Sequence, residues 1–181
     1  TEPRPQARAA IGRALGRMGL DNRRGVGLLA NGLPDIDWKF IPGDAGAPDF
    51  SSARFPVSNA QFAAFVAAGG YADARWWAHA PDHASRPRAG CWSEPNRPRE
   101  SVSWNEAVAW CHWLSDALGA EVRLPTSSEW ARAAHGPRRQ RYPWGNNYEA
   151  GRANVDEADL GGGPEPAAAL AQTSAVGIFP H

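Results

Sequence analysis

Residues 101–130, SVSWNEAVAWCHWLSDALGAEVRLPTSSEW, decide what this chain folds into. Ser103 has Glu106 three positions later, the spacing at which a serine hydroxyl accepts the third helical N–H while the glutamate reaches back to the serine's own N–H. Ala107, Trp110, Cys111, Leu114 and Leu118 then recur on one helical stripe, and Gly119 supplies a stop. The tetrapeptide EVRL at 121–124 reads as a short strand. Thr126 and Glu129 repeat the capping device, opening a helix that turns Trp130, Ala133 and Ala134 inward and halts at Gly136-Pro137. Two helix starts are thus set by local chemistry within thirty residues.

Upstream, Ser58 caps a helix in which Phe62, Phe65 and Val66 share a face and Gly69-Gly70 marks the end. Before it, residues 35–41 alternate charged side chains with Ile36, Trp38 and Phe40, the period of a half-buried strand. Residues 53–57 form a second extended piece. Near the amino terminus, Ala7, Ile11, Leu15 and Met18 share the apolar face of a short, peripheral helix over residues 6–18, and glycine- and asparagine-rich residues 19–34 read as a linker. The chain therefore divides into residues 1–34 and 35–181. Pro81 to Glu100 holds four prolines and four arginines with no apolar period, which predicts a long ordered loop. Beyond Pro137 only TSAVGIF at 173–179 returns to a strand pattern, and no internal repeat points to a solenoid.

Composition narrows the function. A chain of 181 residues and 19.5 kDa suits one domain with appendages. Its 19 basic and 19 acidic side chains balance, and a pI near 6.9 provides no field for a polyanion, so nucleic acid is disfavoured as the main partner. The longest uncharged stretch, 55–72, contains Ser58, Asn59, Gln61 and two glycines, so no membrane span is expected and the chain reads as soluble. It opens on TEPRPQAR without a leader, as a cut from a longer polypeptide would. Cys91 and Cys111 lack the close spacing of a zinc knuckle or redox pair. Nine tryptophans are an excess that demands burial sites or a binding surface.

Taken in order, PVSNAQFAAFV, SVSWNEAVAWCHWL, EVRLPTSSEW, RYPWG, RAN and TSAVGIFP resemble the formylglycine-generating enzyme, or sulfatase-modifying factor, family over roughly residues 35–180. The resemblance implies an α+β fold, an irregular C-type-lectin-like domain with two or three helices on small antiparallel sheets and much ordered loop. Family functions diverge. Some members use a copper-binding cysteine pair to oxidise a substrate cysteine to formylglycine, others serve in iron-dependent sulfoxide synthases, and the variable proteins of diversity-generating retroelements present a ligand-binding surface on this fold. In the family, the segment matching TSAVGIFP precedes the region that holds the oxidase cysteines. The chain is therefore expected to carry the amino-terminal part of the domain, with copper entering only if a following segment supplies the pair. Its own missing carboxy-terminal portion is then the first expected partner.

The resemblance also places a candidate calcium site at Asn154 and Val155, with Asp156, Glu157 and Asp159 near enough to complete a shell of hard oxygens. That these carboxylates simply solvate a loop is an equal reading. Cys111 falls on the apolar stripe, and structural roles are favoured for both cysteines, although a disulfide between them is conceivable. His79 and His83 have helical metal-pair spacing, but Pro81 between them favours a loop. Arg86, Arg88, Arg97, Arg99, Arg138, Arg139 and Arg141, interleaved with Trp92 and Tyr142, could bind single strands; loop bracing is favoured. The helical tryptophans read as core, whereas Trp76 and Trp77 lie outside the helices and, with Trp92, Arg139 and Tyr142, are candidates for a ligand surface.

These readings favour a ligand- or protein-binding module, not catalytic by itself, such as a retroelement variable protein in a bacterial cytoplasm. The alternative is the amino-terminal portion of a copper-dependent oxidase or an iron-dependent sulfoxide synthase. A third reading makes the domain a sensor joined to an effector through residues 1–34. Because the family core is completed by later strands, the chain alone is expected to expose apolar surface and be weakly folded.

Overall fold

The computed structural model describes residues 4–44, 46–155 and 170–179. Within them lie four α-helices, α1 (Pro5–Met18), α2 (Asn59–Ala67), α3 (Trp104–Leu118) and α4 (Ser127–His135), one two-stranded sheet, β1 (Trp38–Ile41) with β2 (Phe50–Ala53), and a 3₁₀ turn at Ala74–Trp77. The strands run antiparallel, Trp38 opposite Ala53 and Ile41 opposite Phe50. This is the expected α+β mixture, with most of the described residues in loop.

Both expected capping boxes form, and Ser58 with Gln61 makes a third. Ser58, Ser103 and Thr126 each accept the backbone N–H of the residue three positions on, and the side chains of Gln61, Glu106 and Glu129 return the bond. The core gathers between α2, the 3₁₀ turn and α3, where Phe62, Phe65, Tyr71, Trp76, Trp77, Trp110, Trp113 and Leu114 are buried together. Phe65 is its hub, with the rings of Phe62, Tyr71, Trp77 and Trp113 at 5.7–6.5 Å. Gly70 is required beside it, because a Cβ there would lie 2.1 Å from the Phe65 ring. The Tyr71 hydroxyl donates to Glu106, and burial followed by this bond raises the phenol above its ordinary range.

The α1 helix forms at the periphery, and the side it lays on the domain is Ala9, Gly12 and Gly16, with Leu15 half-buried and Ile11 and Met18 exposed. The neighbouring loops approach too closely for anything larger. A Cβ on Gly12 would lie 2.8 Å from Ala175 Cβ, and one on Gly16 would lie 2.3 Å from Asn96 Oδ1. On β1, Trp38 and Phe40 face solvent instead of forming a half-buried strand. Residues 121–124 form no strand; the Ser115 hydroxyl takes the Val122 N–H at 2.8 Å and lies 2.9 Å from its carbonyl, replacing a ladder with one side chain. Residues 173–179 form a turn with Gly177 at φ +68°, tied by the Val176 N–H to the Asn96 carbonyl at 2.9 Å. On α4, Trp130 is 65 % exposed, not inward.

Residues 19–34 are ordered. The Ser58 hydroxyl donates to the Val26 carbonyl at 2.6 Å, and the Gln61 amide donates to the carbonyls of Gly25 and Asp35, so this segment is stitched to the start of α2.

Candidate functional site

The open side of α3 sets the geometry. Its stripe carries the buried Trp110 and Cys111 to the floor of a groove of about 800 Å³, lined as well by Val57, Val102, Val122 and Leu124. Trp38 and Trp130 stand at the rims, and both are exposed. The sequence assigns both to the interior, since helical and strand periodicity say which residues share a face but not whether anything covers it. The rim by α4 is braced by Arg123, whose guanidinium binds both oxygens of Glu129 at 2.7 Å. That pairing, then the Thr126 N–H, holds the Glu129 carboxyl down at about 2.

A second cleft of about 990 Å³ lies between the β1–β2 turn and α4, lined by Phe40, Ile41 and Ala131 among others. Arg139 stands at its mouth with its guanidinium 2.6 Å from Asp44 Oδ2, in a left-handed conformation at φ +48°. Arg132 reaches the Pro48 carbonyl at 2.8 Å and lies over the Phe50 ring.

The five candidate ligand-surface residues do not converge. Trp76 and Trp77 are corrected: both are core, with the Trp77 indole donating to the Gly70 carbonyl at 2.7 Å and stacking on His83 at 3.8 Å. The 3₁₀ turn folds them inward, which their loop position in the sequence does not reveal. Trp92 is half-buried beneath Arg97. Tyr142 stacks on Trp144 at 5.4 Å, with Tyr148 set edge-on to both rings. Two of the five line clefts with exposed apolar surface, but separate ones: Arg139 the cleft beside α4, and Trp92 a shallow one of about 480 Å³ along α2 with Val66.

Loop bracing is what the central arginines do. Arg97 is 1 % exposed and binds Glu94, Gln172 and Thr173, tying the loop before α3 to residues 172–173. Arg99 donates to the Arg88 carbonyl and covers the Phe62 ring. His83 binds the carbonyls of Ala80 and Tyr71, and His79 binds that of Asn105, so neither forms a helical metal pair.

Cys91 is exposed, Cys111 is buried, and both are free thiols. Burial pushes the Cys111 thiol up to about 11, so it is protonated at neutral pH and does not fit a thiolate copper site. Among the described residues no group of three or more His, Cys, Asp or Glu side chains converges. For calcium, the Asn154 amide donates to the Gln172 carbonyl at 2.8 Å, leaving Oδ1 and the Val155 carbonyl as the oxygens on offer. Asp156, Glu157 and Asp159 lie outside the described residues. Among the described residues no helix is long and apolar enough to cross a membrane.

Comparison with known proteins gives consistent results. The model of the sulfatase-modifying factor enzyme 1-like domain matches residues 38–181. The chain is 36 % identical over 126 residues to a formylglycine-generating enzyme of Thermomonospora curvata, covering 51 % of this chain and 40 % of the relative. It is 37 % identical over 122 residues to a hercynine oxygenase of Mycolicibacterium thermoresistibile, covering 55 % and 26 %. It is 34 % identical over 110 residues to an inactive C-alpha-formylglycine-generating enzyme 2 of Mus musculus, covering 58 % and 34 %. The chain thus spans between about a quarter and two-fifths of the length of these three relatives. The ordered motifs from PVSNAQFAAFV to TSAVGIFP, the capped helices that carry them and the matched span agree: the chain belongs to the sulfatase-modifying factor, or formylglycine-generating enzyme, family.

Proposed function

We propose that residues 35–181 are the scaffold of a binding domain that performs no redox chemistry, and that the groove over α3 seats a polypeptide segment, the remainder of the same domain. The observation that carries this reading is the groove itself. Its floor is the buried face of α3, its rims are exposed tryptophans, and the thiol at its base is held protonated. A surface of indoles and branched aliphatics without a thiolate is suited to burying apolar side chains. The finer forms of this reading are a ligand- or protein-binding module of the kind found in retroelement variable proteins, and a calcium ion held near Asn154 and Val155 as a brace.

The second reading is supported by the names of two relatives, a formylglycine-generating enzyme and a hercynine oxygenase. In it the chain supplies scaffold to a copper oxidase or an iron sulfoxide synthase whose metal ligands lie elsewhere. One experiment separates the two. The chain, alone and co-expressed with the polypeptide that completes the domain in its relatives, is given copper(I), oxygen and a cysteine peptide, or iron(II), oxygen, a thiol and hercynine. The binding reading expects neither aldehyde nor sulfoxide from either preparation, together with loss of dye binding at the groove on completion. Product from the completed protein would establish the enzyme reading. Calcium is checked by titration into metal-free protein, where a raised Tm lost in Asn154→Ala is expected, and an unchanged Tm removes the ion.

A further inference from the structure

Helix α1 presents a second surface that the groove does not explain. Ala7, Ile11, Ala14 and Met18 follow one another at spacings of four, three and four residues, the seam of a two-stranded helical pairing, and all four are exposed. Ile11 and Met18 are 55 % and 59 % exposed. The helix cannot rotate to hide them. Its opposite face is locked by Gly12 against Ala175 and Gly16 against Asn96, where even a methyl group would collide. The Asn96 amide donates to the Gly12 carbonyl at 2.8 Å and Arg17 pairs with Glu94 at 3.0 Å, fixing the helix in register on the domain. The outward seam is therefore presented rigidly, at no ordering cost to a partner.

Charge selects the occupant. Residues 4–18 contain Arg4, Arg8, Arg13 and Arg17 and no carboxylate. A second copy would set arginine against arginine, which disfavours self-pairing. A membrane is disfavoured because the seam has no aromatic residue and half of it is alanine, too little apolar area for stable insertion. Alanine at alternate seam positions instead allows close approach of another helix. We infer that α1 is a docking site for an acidic amphipathic helix of a partner protein, one with an apolar heptad seam flanked by glutamate or aspartate.

The probe is a synthetic three-heptad peptide with leucine at the seam positions and glutamate at the flanks, fluorescein-labelled, and titrated with the intact chain. The expected result is saturable binding that weakens tenfold or more in Ile11→Glu and several-fold in Arg4→Glu, with amide shifts centred on residues 5–20. The same peptide with lysine flanks should not bind. Because the substituted side chains are solvent-facing, the variants should keep the wild-type Tm, which separates lost docking from lost folding. Failure of the acidic peptide to bind, equal binding by Ile11→Glu, or equal binding of the lysine-flanked peptide overturns the proposal. So does α1-dependent dimerisation in light scattering or α1-dependent binding to vesicles of phosphatidylcholine with phosphatidylserine. None of these results bears on the groove or on oxidase activity.

Discussion

Replacing Gly16 by alanine sets two effects of opposite sign against each other. In an unconstrained helix the change is favourable by about 0.8–1 kcal/mol. Here the new Cβ would lie 2.3 Å from Asn96 Oδ1 and 2.8 Å from its Cγ. Asn96 is 2 % exposed and cannot swing aside without loss, because its amide donates to the Gly12 carbonyl at 2.8 Å and to Asp21 Oδ2 at 2.7 Å. Breaking those bonds costs about 0.5–1.5 kcal/mol each, and stranding a buried acceptor costs about 1–3 kcal/mol. Against the propensity gain, a net loss of about 1–5 kcal/mol is expected. If α1 lifts away instead, the loss stops at the energy of its docking and residues 5–18 become sensitive to protease. Urea unfolding followed by tryptophan fluorescence, with limited proteolysis alongside, reads both. Asn96→Ala in the Gly16→Ala background should be less damaging than the two single losses combined, since the clash is then gone. A Gly16→Ala protein as stable as the wild type, with the same denaturant slope, refutes the docking of α1 and the rigid seam that depends on it.

Three further outcomes are expected. A thiol reagent at pH 8 should label Cys91 in the folded chain and reach Cys111 only in denaturant, since burial holds that thiol at about 11; rapid labelling of both would show that the α3 floor is open. Trp77→Ala should cost about 3–5 kcal/mol, as expected for a large buried ring, and an unchanged Tm would return Trp77 to the surface. Glu129 has a depressed folded pKa, so its contribution is present above the ordinary carboxylate value near 4.5 and is lost as pH falls towards about 2. Glu129→Gln should therefore flatten that part of the acid unfolding profile, and an unaltered profile would show that the Arg123 pairing contributes nothing.

How much was legible depended on the range of the interaction. Helix starts at Ser103 and Thr126 are contacts between residues three apart, so the spacing alone specified them, and Ser58 was legible as a cap by its residue type. The α3 stripe and the loop character of residues 81–100 were legible for the same reason. Cys111 was readable as a buried thiol because its neighbours on that stripe are apolar. Exposure was another matter. Trp38, Phe40 and Trp130 look like core because they fall on apolar faces, yet a face is buried only if a distant segment covers it, and periodicity is silent on that.

The amino-acid sequence by itself determined the family, the α+β class, the positions of the capped helices and the stripe that becomes the α3 floor, because each rests on the order of residues or on bonds between close neighbours. Tertiary structure alone decided which faces meet. It drew Trp76 and Trp77 into the core through a 3₁₀ turn, turned the small side of α1 inward because Asn96 and Ala175 leave no room for a side chain, and left the rims of the groove open. Those outcomes depend on steric fit between segments as many as 163 residues apart, Gly12 against Ala175, and no local pattern encodes such a meeting.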